Sequence, residues 1–424
     1  MEFPLTQHIK EDGTPCMLEE YTSKGGYDGA RKALLELESK EITQLVKDSY
    51  LLGRGGAGFN TGLKWSFVNI DDPAEQRYII ANGDEMEPGT FKDRFLLERN
   101  PHLLIEGMII ASKALKATKG FIFIRWAYKN AHKIIEDAIN EAYNAGYLGK
   151  NIFKSEHNFD LYLHTSAGRY ICGEETALIN SLEGKRANPR SKPPFPQTSG
   201  LFGKPTIVNN VETFCNLRGI VLYGAAWYKN LSKTHEGGTK LYGVSGKVKN
   251  PGLWELPLGI TIRELLFDYA GGMKDGFEFK GLLPGGASTD FLIEEHLDTP
   301  MDFSSIAKCG SRLGTGTMIV MDNKTCPVAF VHNLIMFFAN ESCGWCTPCR
   351  EGLPWVEKIL RKIEEGRGEE KDLELLEFHV KYLSPGNTFC ALAPGAMEPL
   401  QSALKFFYDD FVQHIKQKKC IYKK

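Results

Sequence analysis

Three evenly spaced cysteines form the stretch of this chain whose residue types are best suited to metal chemistry. Residues 343–349 read Cys-Gly-Trp-Cys-Thr-Pro-Cys, so two residues separate each thiol from the next. A tight loop with this spacing directs three sulfurs at the corners of one cluster, and Cys390 is the candidate fourth ligand. Structural zinc usually takes two separated Cys-x-x-Cys pairs, so the spacing favours a 4Fe-4S cluster over zinc. Because such a cluster passes single electrons, the rest of the chain is expected to supply an electron source.

Zinc binding and unligated core thiols stay open as alternative interpretations of the cysteines at 343–349. Unligated core thiols rarely cluster at ligand spacing, which disfavours that explanation for residues 343–349. The remaining cysteines have no ligand spacing and are interpreted as structural thiols. They are Cys16, Cys172, Cys215, Cys309, Cys326 and Cys420.

A glycine-rich loop, Gly53-Arg54-Gly55-Gly56-Ala57-Gly58-Phe59, is a candidate phosphate site. Glycines let backbone amides approach a phosphate, and Arg54 and Lys64 are candidate counter-charges. The loop follows a predicted helix, whereas the dinucleotide fingerprint follows a strand. No Gly-Lys-Ser/Thr closes it as a P-loop would require. Alone, the loop is a weak indication of nucleotide binding.

Two acidic stretches follow predicted strands. Residues 82–89 read Asn-Gly-Asp-Glu-Met-Glu-Pro-Gly, and residues 170–175 include Tyr170, Gly173, Glu174 and Glu175. Carboxylates at such places could bind ribose hydroxyls or orient an amide, although surface turns and helix starts are also acidic without any ligand. Phe59, Phe67 and Phe195 could stack on flat rings, although most aromatics simply belong to the core.

The composition is that of an ordinary globular protein. The 424 residues are 42% hydrophobic and 25% charged, and the net charge of −2 argues against a partner such as nucleic acid. No run approaches the ~18 apolar residues of a membrane span, and the first residues lack the pattern of a signal peptide. A soluble, unexported protein is therefore expected, with its cysteines reduced or ligated.

The candidate residues must be positioned by alternating strands and helices. After a helix from Glu41, the pattern predicts strands at 77–81, 121–125 and 161–163, and helices from Pro101, at 128–145 and at 174–182. Three strand-helix units predict a parallel sheet covered by helices on both faces, with ligands at the carboxyl ends of the strands. A proline-rich loop spans 187–205, and a helix carrying Asn209, Asn210 and Thr213 is expected after it.

The remaining chain predicts two further parts. Residues 240–322 have short strands, at 241–248 and 318–321, around one helix at 262–269. Helices are then expected at 328–340, 353–365, 372–382 and 398–417, as a four-helix bundle that holds the cluster, with the lysines of 416–424 as a frayed tail. The predicted domains are an N-terminal arm (1–40), an α/β domain (41–235), a small α+β domain (236–325) and the bundle (326–424).

Five stretches in this order strongly resemble one family, the NADH-binding flavoprotein subunit of respiratory complex I. They are 53–65, 82–94, 170–178, 205–213 and 341–352. The resemblance implies an α/β fold with a Rossmann-like flavin domain, a ubiquitin-like β-grasp domain at 236–325 and the helical bundle with its 4Fe-4S cluster. It also implies three site groups. Those for flavin mononucleotide (FMN) are Gly53, Arg54, Gly55, Gly56, Lys64, Asn82, Asp84, Glu85, Tyr170, Gly173, Glu174, Asn209, Asn210 and Thr213. Those for NADH are Phe59, Phe67, Glu87, Glu175, Lys192 and Phe195, and the cluster ligands are Cys343, Cys346, Cys349 and Cys390.

Some positions depart from the family pattern. Asn60 stands where proline is usual, Gly83 where alanine is usual, and Trp345 where a polar residue often lies between the first two cysteines. Residues 393–395, Ala-Pro-Gly, follow Cys390 unusually. None of these changes removes a ligand or a charge, although Trp345 could alter solvent access to a cluster.

The resemblance implies an NADH:quinone oxidoreductase (NADH dehydrogenase) electron-input subunit. A hydride passes from NADH to FMN and single electrons to the cluster, and no side chain need act as acid or base. Glu85, Glu87 or Glu175 would place the nicotinamide. The expected partners are a thioredoxin-like 2Fe-2S subunit and a larger hydrophilic arm, at the cytoplasmic face of the inner membrane. The alternatives are the equivalent subunit of a NAD-linked hydrogenase or formate dehydrogenase, and a non-catalytic metal-bound scaffold.

Overall fold

The structure, a computed structural model, describes residues 2–72 and 75–423. The chain forms two units, and each is described by itself. The first comprises Met1–Met86, Phe91–Leu241 and Trp254–Gly259, and the second comprises Glu87–Thr90, Tyr242–Leu253 and Ile260–Lys424. The domain boundaries at 41, 236 and 326 stay predictions.

A parallel sheet of four strands lies in the first unit. The strands are β1 (Tyr78–Gly83), β2 (Lys119–Ile124), β3 (Asp160–Thr165) and β4 (Thr206–Asn210). Their order is β3-β2-β1-β4, and Ile80 lies between Phe121 of β2 and Val208 of β4. Ile80 is fully buried because helices cover both faces of a parallel sheet. All four strands end at one edge, where such sheets bind ligands.

Eleven α-helices accompany this sheet among the described residues of the first unit. They are α1 (Leu18–Ser23), α2 (Asp28–Glu36), α3 (Ser39–Asp48), α4 (Thr61–Ser66), α5 (Lys92–Arg99), α6 (Pro101–Leu115), α7 (Lys129–Asn144), α8 (Glu175–Leu182), α9 (Pro196–Ser199), α10 (Val211–Cys215) and α11 (Leu217–Asn230). Pro101 begins α6 as predicted. Gly146 and Gly184, with φ of +73° each, follow the ends of α7 and α8, which confirms both predicted stops.

The structure corrects the predicted helix around Asn209. Residues 206–210 form β4 instead, and they pair in register with β1 from Tyr78 to Asn82. The helical prediction was wrong because the short polar segment has no clear period of its own, and pairing with β1 decides its conformation. The helix begins only at Val211, where Asn210 Oδ1 accepts the Glu212 N–H at 3.0 Å as a cap.

Residues 1–40, predicted as an N-terminal arm, contain α1 and α2, and a buried carboxylate fixes these helices to the rest of the first unit. Glu106 on α6 accepts the N–H of Tyr27 at 2.9 Å and that of Ala30 at 3.1 Å, and it also bonds the Tyr21 hydroxyl. Arg218 Nε lies 3.4 Å from the same carboxylate. Although burial raises the pKa of Glu106, Arg218 and these donors compensate the buried charge.

A mixed sheet occupies the segment 239–322. Its strands are β5 (Thr239–Gly246), β6 (Gly252–Pro257), β7 (Phe279–Leu283) and β8 (Thr317–Asp322), in the order β6-β5-β8-β7. β8 pairs parallel to β5 and antiparallel to β7. A π-helical segment at Glu264–Tyr269 and helix α12 (Phe303–Lys308) accompany these strands. The arrangement agrees with the expected β-grasp class.

The C-terminal region is helical as predicted, but the described residues after 326 contain five helices. They are α13 (Pro327–Glu341), α14 (Thr347–Glu364), α15 (Glu370–Tyr382), α16 (Leu392–Phe406) and α17 (Tyr408–Gln417). The single helix predicted at 398–417 is interrupted at Phe407, whose φ of −127° leaves the helical region. Its buried ring packs edge-on against Phe291 at 5.3 Å, which explains why the apolar period continues through the break.

The tail predicted to be frayed is ordered up to residue 423. Cys420 is buried, Tyr422 bonds the Asp410 carboxylate, and Lys423 Nζ lies 2.9 Å from Glu364 Oε1. The prediction of a frayed tail was wrong because charge content alone does not reveal the tertiary contacts that hold these residues in place. Lys424 lies outside the described residues.

Replacing Glu106 by alanine should detach the N-terminal helices. The change leaves Arg218 and two backbone N–H groups buried without their acceptor, so we expect a loss of about 3 kcal/mol in the free energy of unfolding. Thermal unfolding and limited proteolysis before residue 40 would measure it. Glu136→Ala, at an exposed position of helix α7, is the matched control. Equal stability of the two variants would contradict the assigned role.

Candidate functional site

Polar residues that follow β1 and β3 meet at the carboxyl edge of the first sheet. Asn82 Nδ2 donates to the Gly173 carbonyl at 3.3 Å, and the Asp84 N–H donates to Asn82 Oδ1 at 3.0 Å. Ser166, directly after β3, donates to the Asp84 carboxylate at 2.9 Å. Tyr170 lies with Gly173 in one 3₁₀ turn. The two acidic stretches therefore share the edge that the strand pattern predicted.

The glycine-rich loop closes on itself between α3 and α4. The Gly53 N–H donates to the Phe59 carbonyl at 2.8 Å, while Gly56 and Gly58 have φ of +122° and +65°, where larger residues are strained. Asn60, the departure from the family's proline, accepts an N–H from the first turn of α4 at 2.9 Å. It thereby supplies a helix cap at this position.

The loop approaches the end of β4. A Cβ added to Gly55 would lie 3.1 Å from Asn210 Cβ, and the Arg54 N–H donates to Thr213 Oγ1 at 2.9 Å. A Cβ added to Gly173 would meet nothing within 4 Å, so the space beside that residue is open. The loop, the end of β4 and the start of α10 form one cradle at the carboxyl edge of the sheet.

The side chain of Arg54 points away from this cradle. It is fully buried, and its guanidinium donates to the carbonyls of Gly237 at 2.8 Å, Thr239 at 3.0 Å and Leu52 at 3.1 Å. The structure therefore does not support its guanidinium as a phosphate counter-charge. The positive charge holds three carbonyls together, which a sequence pattern could not reveal.

Two lysines and two glutamates form a charged network beside β4. Lys64 Nζ lies 2.7 Å from Glu175 Oε2 and 2.8 Å from the Val208 carbonyl. Lys192, brought in by the proline-rich loop, lies 2.9 Å from Glu174 and 3.2 Å from Glu175. The structure thus joins residues that the sequence offered in three separate stretches.

The network fixes the charge of Glu175. Burial alone would raise the pKa of this carboxyl, but the ammonium groups of Lys64 and Lys192 hold it below its usual value. Glu174 differs, because its Oε2 accepts the N–H groups of Thr176 at 2.9 Å and Ala177 at 2.8 Å and caps α8. Glu175 is therefore an ionised, partly exposed acceptor at the carboxyl edge of the sheet.

Glu85 has a different position from that expected for a residue that places nicotinamide. Its buried carboxylate accepts the N–H groups of Asp93 at 2.8 Å and Arg94 at 3.0 Å, and the Tyr128 hydroxyl at 3.0 Å. Burial, reinforced by the charge of Asp93, raises its pKa to about 7. These contacts fix the start of α5, so direct contact with the nicotinamide is not supported for this residue.

A buried lysine was missed by the sequence reasoning. Lys92 is fully buried, and its Nζ lies 2.7 Å from Asp93, 2.9 Å from Glu212 and 3.0 Å from Asn210 Oδ1. Although burial opposes its charge, these carboxylates raise its pKa. It positions Asn210, one of the predicted flavin residues. The only signal in the sequence was its place within the matched stretch 82–94.

A buried tryptophan, which also lies within a matched stretch, was missed by the sequence reasoning as well. Trp65 donates from Nε1 to Asn209 Oδ1 at 2.9 Å, and its side chain is almost completely buried. It connects α4, which follows the glycine-rich loop, with the end of β4. The orientation of Asn209 therefore depends on a residue that the sequence presents as ordinary core.

Three predicted stacking aromatics are exposed. Phe59, Phe67 and Phe195 have 49%, 57% and 52% of their surface accessible, which excludes the ordinary core as their explanation. The rings of Phe59 and Phe67 lie 6.4 Å apart.

Glu87 belongs to the second unit, where its carboxylate accepts the Ser288 N–H at 2.6 Å.

The four predicted cluster ligands belong to the second unit. Cys346 is the residue before α14, Cys349 lies in its first turn, and Cys390 precedes α16. The pKa of Cys349 is raised to about 12, chiefly by burial, and the charges of Cys346, Cys390 and Cys343 contribute to the rise, so these three cysteines lie near it. Among the described residues they do not form a group with ligand atoms within 4.8 Å, as a single ion would need.

These residues fit the two cofactors that the resemblance implies. Cys349 has the other three thiols near it, and four such thiols suit the corner ligands of a cluster. The cradle offers loop amides and the side chains of Asn82 and Asn209, with open space beside Gly173, and Lys64 adds a positive charge at the Val208 carbonyl of β4. Amides with one cation suit a phosphate-bearing ring compound.

Three family models match this chain. Residues 46–218 match the Nuo51 FMN-binding domain, residues 241–286 match the SLBB domain, and residues 329–414 match the NADH-ubiquinone oxidoreductase-F iron-sulfur binding region. The matched ranges contain the cradle and the four cysteines predicted as cluster ligands.

Solved structures also resemble this chain. A chain of a NAD⁺-reducing [NiFe]-hydrogenase in its H₂-reduced state aligns with a TM-score of 0.84 and 35% identity, over 99% of this chain and 67% of that one. The air-oxidised form gives a TM-score of 0.79 and 37% identity, over 90% of this chain, which spans only 63% of the hydrogenase chain.

Curated relatives are more similar in sequence. The F subunits of the NADH-quinone oxidoreductases of Salmonella typhimurium LT2 and Escherichia coli K12 are each 60% identical over 414 residues, 98% of this chain and 93% of the relative. With that identity over nearly the whole length, and with family models on both cofactor regions, the chain belongs to the family of NADH-quinone oxidoreductase F subunits.

Proposed function

We propose that this chain is the NADH-oxidising, electron-input subunit of an NADH-quinone oxidoreductase. The observation that carries the proposal is the Lys64–Glu175–Lys192 network beside the glycine-rich cradle, and the nearness of the other three predicted cluster cysteines to Cys349 supports it. When bound, FMN accepts a hydride from NADH, and the 4Fe-4S cluster takes electrons one at a time.

Different residues of the cradle would bind different parts of the flavin. Loop amides from Gly53, Gly55 and Gly56 would hold the flavin phosphate, with Lys64 as the counter-charge. Asn82, Asn209 and Asn210 would bond the polar edge of the ring, since they lie at the ends of β1 and β4. The proposed flavin set also keeps Arg54, Asp84, Glu85, Tyr170, Gly173, Glu174 and Thr213, of which Arg54 and Glu85 act by supporting the cradle.

The proposed substrate residues are all at least partly exposed. Phe59, Phe67 and Phe195 would stack on the adenine ring, while Glu175 and Lys192 would orient the nicotinamide amide and the charge next to it. Glu87 is proposed for the same task. No side chain is required to take up a proton, so the protein contributes orientation and electrostatics.

The partners follow from this role. We propose a thioredoxin-like 2Fe-2S subunit as the next electron carrier, with the pair attached to the larger hydrophilic arm of the complex at the cytoplasmic face of the inner membrane. None of the helices in the described residues has the length and apolar character needed to cross a bilayer. The chain would therefore reach the membrane through its partners.

The hydrogenase-type assembly is the weaker alternative. Its solved chains are 35% and 37% identical to this one, against 60% for the oxidoreductase subunits. A non-catalytic zinc scaffold is disfavoured because the region matched by the iron-sulfur binding family model, residues 329–414, contains all four cysteines.

Absorption and EPR spectra of the purified, fully loaded protein test the proposal directly. Adding NADH should bleach the flavin band and produce the signal of a reduced 4Fe-4S cluster. A protein that contains both groups while NADH changes neither would refute the assignment.

Neutralising Glu175 should reduce the rate and spare the flavin. In Glu175→Gln the two lysines lose their shared carboxylate, so we expect kcat/KM for NADH to fall about tenfold with FMN content unchanged. Steady-state kinetics normalised to bound flavin would measure this. Glu156→Gln, at an exposed position, is the control. Loss of flavin with unchanged turnover per remaining flavin would contradict the role.

Removing one cluster ligand should separate the two electron-transfer steps. In Cys390→Ala, NADH should still bleach the flavin, but the EPR signal of the reduced cluster should fall about tenfold, because three thiolates hold the cluster poorly. Cys309→Ala, which removes a half-buried thiol elsewhere in the second unit, should retain both responses. An undiminished cluster signal in Cys390→Ala would exclude this cysteine as a ligand.

A further inference from the structure

Four buried side chains outside both cofactor regions converge among the C-terminal helices. Cys326 precedes α13, Glu364 ends α14, His414 lies on α17, and Cys420 follows α17. One ligand atom from each lies within 4.8 Å of the others, and all four residues are buried. Among residues 2–72 and 75–423, this is the one group of three or more His, Cys, Asp or Glu side chains whose ligand atoms converge in this way.

The distances within the group match a tetrahedral ion site. His414 Nε2 lies 3.4 Å from Cys326 Sγ and 3.3 Å from Glu364 Oε2, and those two atoms are 3.4 Å apart. Ligands at zinc bond lengths of about 2.0 to 2.3 Å are separated by about 3.3 to 3.8 Å in a tetrahedron. Three of the six ligand–ligand distances in a four-ligand site are therefore already close to the values that a tetrahedral ion requires.

Neighbouring groups orient the potential ligands. His414 Nδ1 lies 2.6 Å from the Asp410 carbonyl, and a proton on Nδ1 leaves the Nε2 lone pair directed at the group. Lys423 holds the other oxygen of Glu364 at 2.9 Å, and the Ala329 N–H donates to Cys326 Sγ at 3.4 Å. Bonds of this kind accompany metal ligands in structural sites.

The segment that carries Cys420 is held in place by the fold. Lys418 ends α17 in the left-handed region with φ of +49°, and its carbonyl occupies the place that a Cβ at position 366 would need. Tyr422 bonds the carboxylate of Asp410, which Lys280 Nζ also approaches at 3.1 Å. Only a glycine at 366 permits this approach, so the backbone presents Cys420 to the group.

We propose that Cys326, Glu364, His414 and Cys420 bind one zinc ion in a structural site, separate from the iron-sulfur ligands. Two thiolates, one imidazole and one carboxylate are a ligand set that suits zinc, and four protein ligands leave no position for a substrate. The ion joins the start of α13, the end of α14 and the C-terminal segment. Without a metal, the same distances fit hydrogen bonds from a protonated imidazole, and the experiment below separates these cases.

Metal analysis of the full-length protein, with its FMN and cluster bound, tests the site without any mutation. We expect about one zinc per chain in addition to the iron of the cluster. X-ray absorption at the zinc edge should show two sulfurs at about 2.3 Å and two lighter atoms at about 2.0 Å. Zinc surrounded by four sulfurs, or protein grown with added zinc that has full iron and no zinc, would overturn the proposal.

Two variants identify the ligands. Cys420→Ala and His414→Ala should lower the zinc content at least about tenfold and leave the iron content unchanged. Cys309→Ala, the loss of a half-buried thiol in the same unit, should retain zinc. Zinc retained at full occupancy in Cys420→Ala would refute the site. If the ligand variants do not fold, the absorption spectrum of the unmodified protein decides the matter alone.

Discussion

The shared edge of four parallel strands is the constraint on which the flavin cradle depends. Because β1, β3 and β4 end at one edge, residues more than a hundred positions apart become neighbours there, as Asn82 and Asn210 do. The glycine-rich loop comes from outside the sheet, and the absence of a side chain at Gly55 eases its close approach to Asn210, because a Cβ there would lie only 3.1 Å from the Asn210 Cβ. Sheet topology thus brings the polar groups together, and the missing Cβ lets a backbone loop join them.

Charge balance keeps the same region in one arrangement. Lys92, Glu212 and Lys240 are fully buried, with Lys92 2.9 Å and Lys240 3.3 Å from the Glu212 carboxylate. Burial lowers the pKa of Lys240 to about 7, despite the attraction of Glu212. Buried ions of this kind add little net stability but penalise any arrangement that separates them. They therefore favour one position of α10 relative to the start of α5 and the start of β5.

Local patterns predicted much of this fold from the sequence. The strands β1 to β3, the helix start at Pro101 and the stops at Gly146 and Gly184 follow from apolar period and capping chemistry. Strand β4 and the break at Phe407 could not be predicted, because pairing with β1 and packing against Phe291 decide them. Both are tertiary effects that override local preference.

The candidate site shows the same limit at the level of single side chains. Spacing predicted Cys343, Cys346 and Cys349 as ligands, but it could not show that Arg54 turns inward to three carbonyls. It also gave no reason to connect Cys326 with Cys420. A motif reveals which groups are close in sequence, whereas burial and partners are properties of the folded chain.

Helix α14 gives the cluster region an electrical asymmetry. Cys346 precedes this 18-residue helix and Cys349 lies in its first turn, so two of the four sulfurs belong to its amino-terminal end. The aligned peptide dipoles leave a partial positive charge of about half a unit there. That charge lowers the energy of any added electron, and N–H groups near cluster sulfur act in the same direction. The orientation of α14 therefore stabilises the reduced state of a cluster bound at this end of the helix.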